Sequence, residues 1–91
     1  MKKRAAVKIH GRVQGVAFRY AAMERAEELG LTGWVRNTHD RAVEAVFEGE
    51  EHDVEEMLRW CREGPPLARV TKVDVKYSEA TGEFSEFTIV G

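Results

Sequence analysis

The stretch Gly11-Arg12-Val13-Gln14-Gly15-Val16-Ala17-Phe18-Arg19 holds the residue types and spacing that could do chemistry. Two glycines bracket a short loop between an alternating run (Val7, Lys8, Ile9, His10) and a helical pattern under way by Tyr20. Glycine lets successive backbone N–H groups turn toward one small concavity, because no Cβ restricts φ. A helix start adds the positive end of its dipole, and Arg19 stands there with a guanidinium fork. Convergent amides, a dipole end and a fork together can hold a phosphate. The same residues can also make an ordinary strand–helix turn with a solvated arginine, so the rest of the chain has to decide.

Other chemistry-bearing residues are sparse. His10, His39 and His52 are scattered, with no cysteine or carboxylate at metal-ligand spacing, so neither a metal site nor a cofactor is expected. Cys61 falls on the apolar stripe of a helical pattern and reads as a small core residue. Trp34 and Phe18 read as core or core edge. Asn37 by itself reads as a turn residue. Glu50, Glu51, Glu55 and Glu56 read as the solvated start of a helix, favourable to its dipole.

These residues need a scaffold, and 91 residues suffice for one small domain, 1–91, with a single two-layer core. Apolar content of 43% and charged content of 33% describe a globular chain. No apolar run reaches membrane-spanning length, and Lys8, His10 and Arg12 interrupt any leader pattern after the basic start. A lone cysteine fits a cytoplasmic protein, and a monomer is expected. The net charge of −2 is unevenly spread. Residues 1–41 hold nine Lys/Arg against four Asp/Glu, and residues 42–91 hold five against twelve. A modest anion site in the first half fits this balance; a broad nucleic-acid surface does not.

In chain order, residues 6–12 alternate apolar and polar, which predicts a strand with one wet face. An amphipathic helix follows from about Tyr20 to Leu29, carrying Phe18, Ala22, Ala26 and Leu29 on one side and ending at Gly30. Residues 32–38 read as a second strand. His39-Asp40-Arg41 is a hairpin connection into a third strand over 42–48. Val54, Met57, Leu58 and Cys61 mark the buried stripe of a helix over 50–62, which Gly64-Pro65-Pro66 ends. Residues 70–77 form a fourth strand, with a turn at Ala80-Thr81-Gly82 and a short last strand around Phe87 and Ile89.

This order, β-α-β-β-α-β plus a short C-terminal strand, predicts an α+β ferredoxin-like open sandwich: an antiparallel sheet with two helices on one face. The topology matters for chemistry. It brings the loop after the first strand, the turn after the second and the loop after the second helix to one end. Arg19, Asn37 and Gly64-Pro65 then meet there from distant parts of the chain.

The loop, taken with Gly33-Trp34-Val35-Arg36-Asn37, resembles the acylphosphatase family. Gly49, Gly64-Pro65, Ala68, Val70 and Phe87-x-Ile89 also fall where that family has them, so the resemblance spans almost the whole chain. It implies hydrolysis of the carboxyl–phosphate bond of a small acyl phosphate. Arg19 would bind the phosphoryl group and Asn37 would orient the attacking water, these two being the catalytic residues. The backbone amides of Gln14, Gly15, Val16, Ala17, Phe18 and Arg19 would form the phosphate cradle. One position departs from the family pattern: Arg41 stands where a glycine is usual, four residues after the asparagine. A hairpin turn there often needs positive φ, which costs a non-glycine residue about 1 kcal/mol.

The residues present suit that reaction. The leaving carboxylate has a pKa of roughly 4, so it departs without a proton and needs no general acid. Phosphoryl transfer asks mainly for positioning and charge neutralisation. A second reading is a regulatory module that binds phosphate or a carbamoyl phosphate-like ligand without turning it over. A third is RNA binding, since RNA-recognition domains share this element order. Those domains stack bases on central-strand aromatics, whereas the outward positions here are Lys8, His10 and Arg12, then Glu44, Val46 and Glu48.

Overall fold

The computed structural model describes residues 1–91. Strand β1 (Lys2–Arg12) leads into helix α1 (Phe18–Glu28), followed by the β2–β3 hairpin (Thr32–Asn37 and Val43–Glu50), helix α2 (Glu51–Glu63), β4 (Arg69–Glu79) and β5 (Phe87–Ile89). The sheet order is β4-β1-β3-β2-β5. The first four strands are antiparallel neighbours, as expected, and β5 adds to the β2 edge in parallel.

Period-two alternation sorts the two faces of the sheet. Ala5, Val7 and Ile9 of β1, Val35 of β2 and Val43, Ala45 and Phe47 of β3 are buried under the helices. Phe18, Ala22 and Ala26 from α1 and Val54, Met57, Leu58 and Cys61 from α2 complete the layer, matching both stripes expected from helical spacing. Phe47 and Phe87 stack at 5.4 Å, and Phe18 meets Trp60 edge-on at 5.3 Å. Burial pushes the Cys61 thiol up to about 12, so it stays protonated and inert. No helix is long and apolar enough to cross a membrane.

Three features differ from the sequence expectation. First, β1 starts at Lys2, not Ala6, because its basic residues face acids on the strands and helix beside it. Arg4 lies directly opposite Glu48, and Lys3 reaches Glu51 and Glu55. Second, Trp34 is on the sheet face away from the helices, directly opposite Val46 on β3, and stands outside the core. Third, that face is not uniformly wet. Val46 is only 4% exposed and Glu48 only 3%. Trp34 shields the first, and the segment between β4 and β5 folds over the second.

Glu48 anchors that crossing segment. It accepts from the N–H groups of Thr81 (3.0 Å) and Gly82 (3.1 Å), from the Thr81 hydroxyl (3.0 Å) and from Arg4 (2.9 Å). Burial alone would raise its carboxyl pKa, but these donors outweigh it and hold the pKa below the ordinary value. A depressed carboxyl stabilises the fold above its ordinary pKa, and that stability is lost as pH falls through the lowered one. Glu48→Gln should therefore cost about 1–3 kcal/mol near neutrality, by leaving donors unmatched. Urea melts of the parent and variant should converge as the pH falls through that lowered pKa. Parallel curves across the whole range would contradict this account of Glu48.

Candidate active site

The loop from Val13 to Ala17 takes its shape from which side chains it buries. Val13, Val16 and Phe18 are in the core, while Gly15 and Ala17 between them face solvent. At the start of the loop, the β1–β4 register shifts between His10 and Gly11. Gly11 is there at φ 123°, where a Cβ would lie 2.0 Å from the Arg69 carbonyl oxygen; only glycine fits this bulge. Gly15 at φ 75° and Ala17 at φ 63° then both take the left-handed conformation. Such residues turn successive amides to one side and form an anion-binding nest.

No protein group accepts a hydrogen bond from the N–H of Gln14, Gly15, Val16, Ala17, Phe18 or Arg19; the first α1 bond is donated by Ala21 to Ala17. Arg19 stands in the first turn of α1, half-buried, and its guanidinium has no ion-pair or hydrogen-bond partner. Asn37 is the last residue of β2, on the same side of the sheet as the buried Val35, and its side-chain amide is also uncommitted.

The groups around them are held firmly. The Gln14 side-chain amide donates to the carbonyls of Thr38 and Ala42, both at 2.9 Å, tying the loop to the hairpin that follows Asn37. Within the hairpin, Thr38 donates its N–H to Ala42 and accepts from the N–H of Arg41 at its carbonyl. The Thr38 hydroxyl bonds the Asp40 carboxylate and accepts from the Ala42 N–H. Lys8 grips Asp40 at 2.7 Å, and this bond, followed by the Thr38 hydroxyl, lowers the Asp40 carboxyl to about 2. On the other flank, the α2–β4 loop closes on Phe18: a Cβ on Gly64 would come within 2.8 Å of its ring. The structure thus brings together the loop, the end of β2 and the α2–β4 loop, as the topology predicted.

The charge pattern at this end was not legible from the sequence. Of nine arginines, Arg4, Arg25, Arg36 and Arg59 are ion-paired. Arg12, Arg19, Arg41, Arg62 and Arg69 have no carboxylate partner, and element direction puts all five at the end that holds the loop. Arg12 and Arg69 even lie directly opposite each other on β1 and β4, a like-charge pairing that disfavours the sheet by itself. The role of the Gln14 side chain is equally absent from the sequence pattern, because its acceptors lie 24 and 28 residues away. No three His, Cys, Asp or Glu side chains converge as a metal cage.

A family model described as Acylphosphatase matches residues 5–89. An acylphosphatase from Methylococcus capsulatus is 56% identical over 88 residues, covering 97% of this chain and 96% of that protein. The crystal structure of acylphosphatase from Bacillus subtilis superposes with a TM-score of 0.94 at 34% identity, covering 98% and 99% of the two chains. HypF from T. kodakarensis contains a similar unit, with a TM-score of 0.84 and 32% identity, over 98% of this chain and 12% of its own.

Arg41 has φ 70°, so the hairpin does demand the left-handed residue that the sequence left in question. The N–H of Arg41 bonds back to Thr38, which makes His39-Asp40-Arg41 a three-residue loop whose last position favours glycine. Arg41→Gly should stabilise by about 1 kcal/mol, a rise in Tm of roughly 4–8 °C for a domain of this size, with turnover retained. A fall in Tm on thermal melting would mean that glycine's unfolded-chain entropy outweighs the relieved strain.

Proposed function

Belonging to the acylphosphatase family, the chain hydrolyses acyl phosphates to carboxylate and inorganic phosphate, and we propose a division of labour for that reaction. The loop amides of residues 14–19 and the Arg19 fork hold the three peripheral oxygens of the phosphoryl group. Asn37 holds a water in line with the bridging P–O bond. One observation carries this reading. At an end where Gln14, Thr38, Asp40 and Lys8 are all bonded, Arg19, Asn37 and six successive N–H groups are left without protein partners.

The chemistry balances with these groups alone. Water oxygen bonds to phosphorus, the bridging P–O bond breaks, and its electron pair leaves on the carboxylate. An acyl phosphate dianion and water give a carboxylate and dihydrogen phosphate, so a phosphoryl oxygen takes up the proton that water sheds. What the protein must supply is placement and charge. Arg19 meets two oxygens at once, which a lysine ammonium cannot reproduce. The other unpaired arginines raise the local concentration of a dianion over a chain whose net charge is −2.

The two roles predict different signatures. Arg19→Lys and Arg19→Ala should lose about 10³-fold or more in kcat/KM, and lose the thermal stabilisation by inorganic phosphate that any native-state ligand gives. Asn37→Ala should lose about 10²–10³-fold in kcat while keeping the phosphate-induced rise in Tm. Both are read with acetyl phosphate in buffer containing a chelator. Normal turnover by Asn37→Ala, or full phosphate stabilisation of Arg19→Ala, overturns the assignment. Activity that chelation abolishes and Mg²⁺ restores removes the metal-free scheme.

A further inference from the structure

The ladder between β1 and β4 matches opposite charges along most of its length. Lys3 lies opposite Glu79 and Lys8 opposite Asp74, while His10 and Lys72 both reach Asp74. At the site end the pattern breaks: Arg12 lies directly opposite Arg69, and neither has a carboxylate partner. Like charges so placed destabilise a sheet. Both side chains are exposed, so packing does not demand them. Arg62, in the last turn of α2, joins them along a crevice of about 650 Å³ that Thr71 also lines. Glu63 is the only acid in its wall, so three arginines against one glutamate leave it a formal charge of +2. None of residues 14–19 borders this crevice, nor does Asn37.

We infer that the crevice is a second oxyanion site, and that it takes a chain of linked phosphates. A single phosphoryl group is too small to engage three forks carried on β1, β4 and α2. An oligophosphate offers oxygens to each, and an anion between Arg12 and Arg69 turns their repulsion into a shared attraction. No aromatic side chain lines the crevice, so a nucleoside has nothing to stack on and only the phosphates are read. Inorganic oligophosphate and the phosphates of a nucleotide share that chemistry. Occupancy also acts on the reaction. Pro66 and Leu67 form a wall shared with a smaller crevice that reaches Val16 and Ala17 of the loop. Resting on the loop and Arg19 binding the phosphoryl group, a polyanion across that wall cancels the arginine field and repels the substrate, which raises KM.

Thermal melts of the full chain at low ionic strength, with tripolyphosphate, metal-free ATP or inorganic phosphate, test the site. Tripolyphosphate should raise the Tm of the parent by several degrees, and should still do so in Arg19→Ala. Arg69→Glu replaces the like-charge pair with an opposite one, so without ligand it should melt at or above the parent. Combined with Arg19→Ala, it should abolish the tripolyphosphate shift. Equal shifts from ATP and tripolyphosphate make any oligophosphate the ligand, and a clearly larger one from ATP makes it the nucleotide; both sustain the site. If Arg19→Ala gains nothing from tripolyphosphate, or gains as much with Arg69→Glu added, the site is wrong. In the parent, KM for acetyl phosphate should rise severalfold with tripolyphosphate and then level off, because the loop stays accessible, with kcat unchanged. A KM that climbs without limit, and does so equally in Arg69→Glu, puts the oligophosphate in the loop and removes the effect on the reaction. A parent that does not turn over acetyl phosphate yet shows the Arg69-dependent shift sinks the reaction scheme and leaves the second site standing.

Discussion

The site depends on a loop that is fastened by its side chains and therefore open at its backbone. Val13, Val16 and Phe18 are buried almost completely, and they alternate with residues that cannot follow them inward. Burying a residue such as Phe18 stabilises by about 1.5–3 kcal/mol. Holding Ala17 in the left-handed region costs about 1–2 kcal/mol, so core packing sustains the strain. The amides then point outward with nothing in the protein to satisfy them. In the proposed scheme their orientation is set before an anion arrives, which removes reorganisation that would otherwise oppose the transition state.

Charge follows the same division. The basic first half and acidic second half suggested an anion site, but most of that asymmetry is spent within the fold. β1 lies between β3 and β4, and its Lys3 and Arg4 pair with Glu51, Glu55, Glu48 and Glu83. What survives without a carboxylate partner is Lys76 and five arginines, the arginines gathered at one end. With screening over about 8 Å at physiological ionic strength, a substrate near the loop feels those arginines far more than the net charge. The anion site is therefore a matter of which cations lack partners, a property that composition does not carry.

This explains how much could be read in advance. Periodicity alone located both helices, the hairpin and the buried stripes, because Val54, Met57, Leu58 and Cys61 report a helix face without reference to anything distant. Element direction placed the loop, Asn37 and Gly64-Pro65 at one end. The positive φ expected at position 41 rests on turn chemistry, which is local, and Arg41 has it. Misplaced features depended on long-range partners. Trp34 reads as core or core edge by type, yet its strand position gives it to the outer face opposite Val46. Glu48 reads as solvated, yet a segment more than thirty residues later folds over it. The side-chain bonds of Gln14 likewise join positions 24 and 28 residues apart.

The same topology that assembles the site also separates it from what holds the chain together. β1, β2 and α2 end where the loop lies, while β3 and β4 end at the opposite edge of the sheet. At that opposite end polar groups are satisfied: the Met1 amino group meets Glu50, Glu51 donates its N–H to Met1, and Arg4, Glu48, Thr81 and Glu83 form one network. At the site end the N–H groups, Arg19 and Asn37 stay unpaired, and like charges face each other across β1 and β4. Unpaired groups contribute nothing to folding and cost stability where they repel. A domain of this size has only a few kcal/mol in hand. It can leave these groups uncommitted because the far end pairs its Met1 amino group, Lys3 and Arg4 with carboxylates.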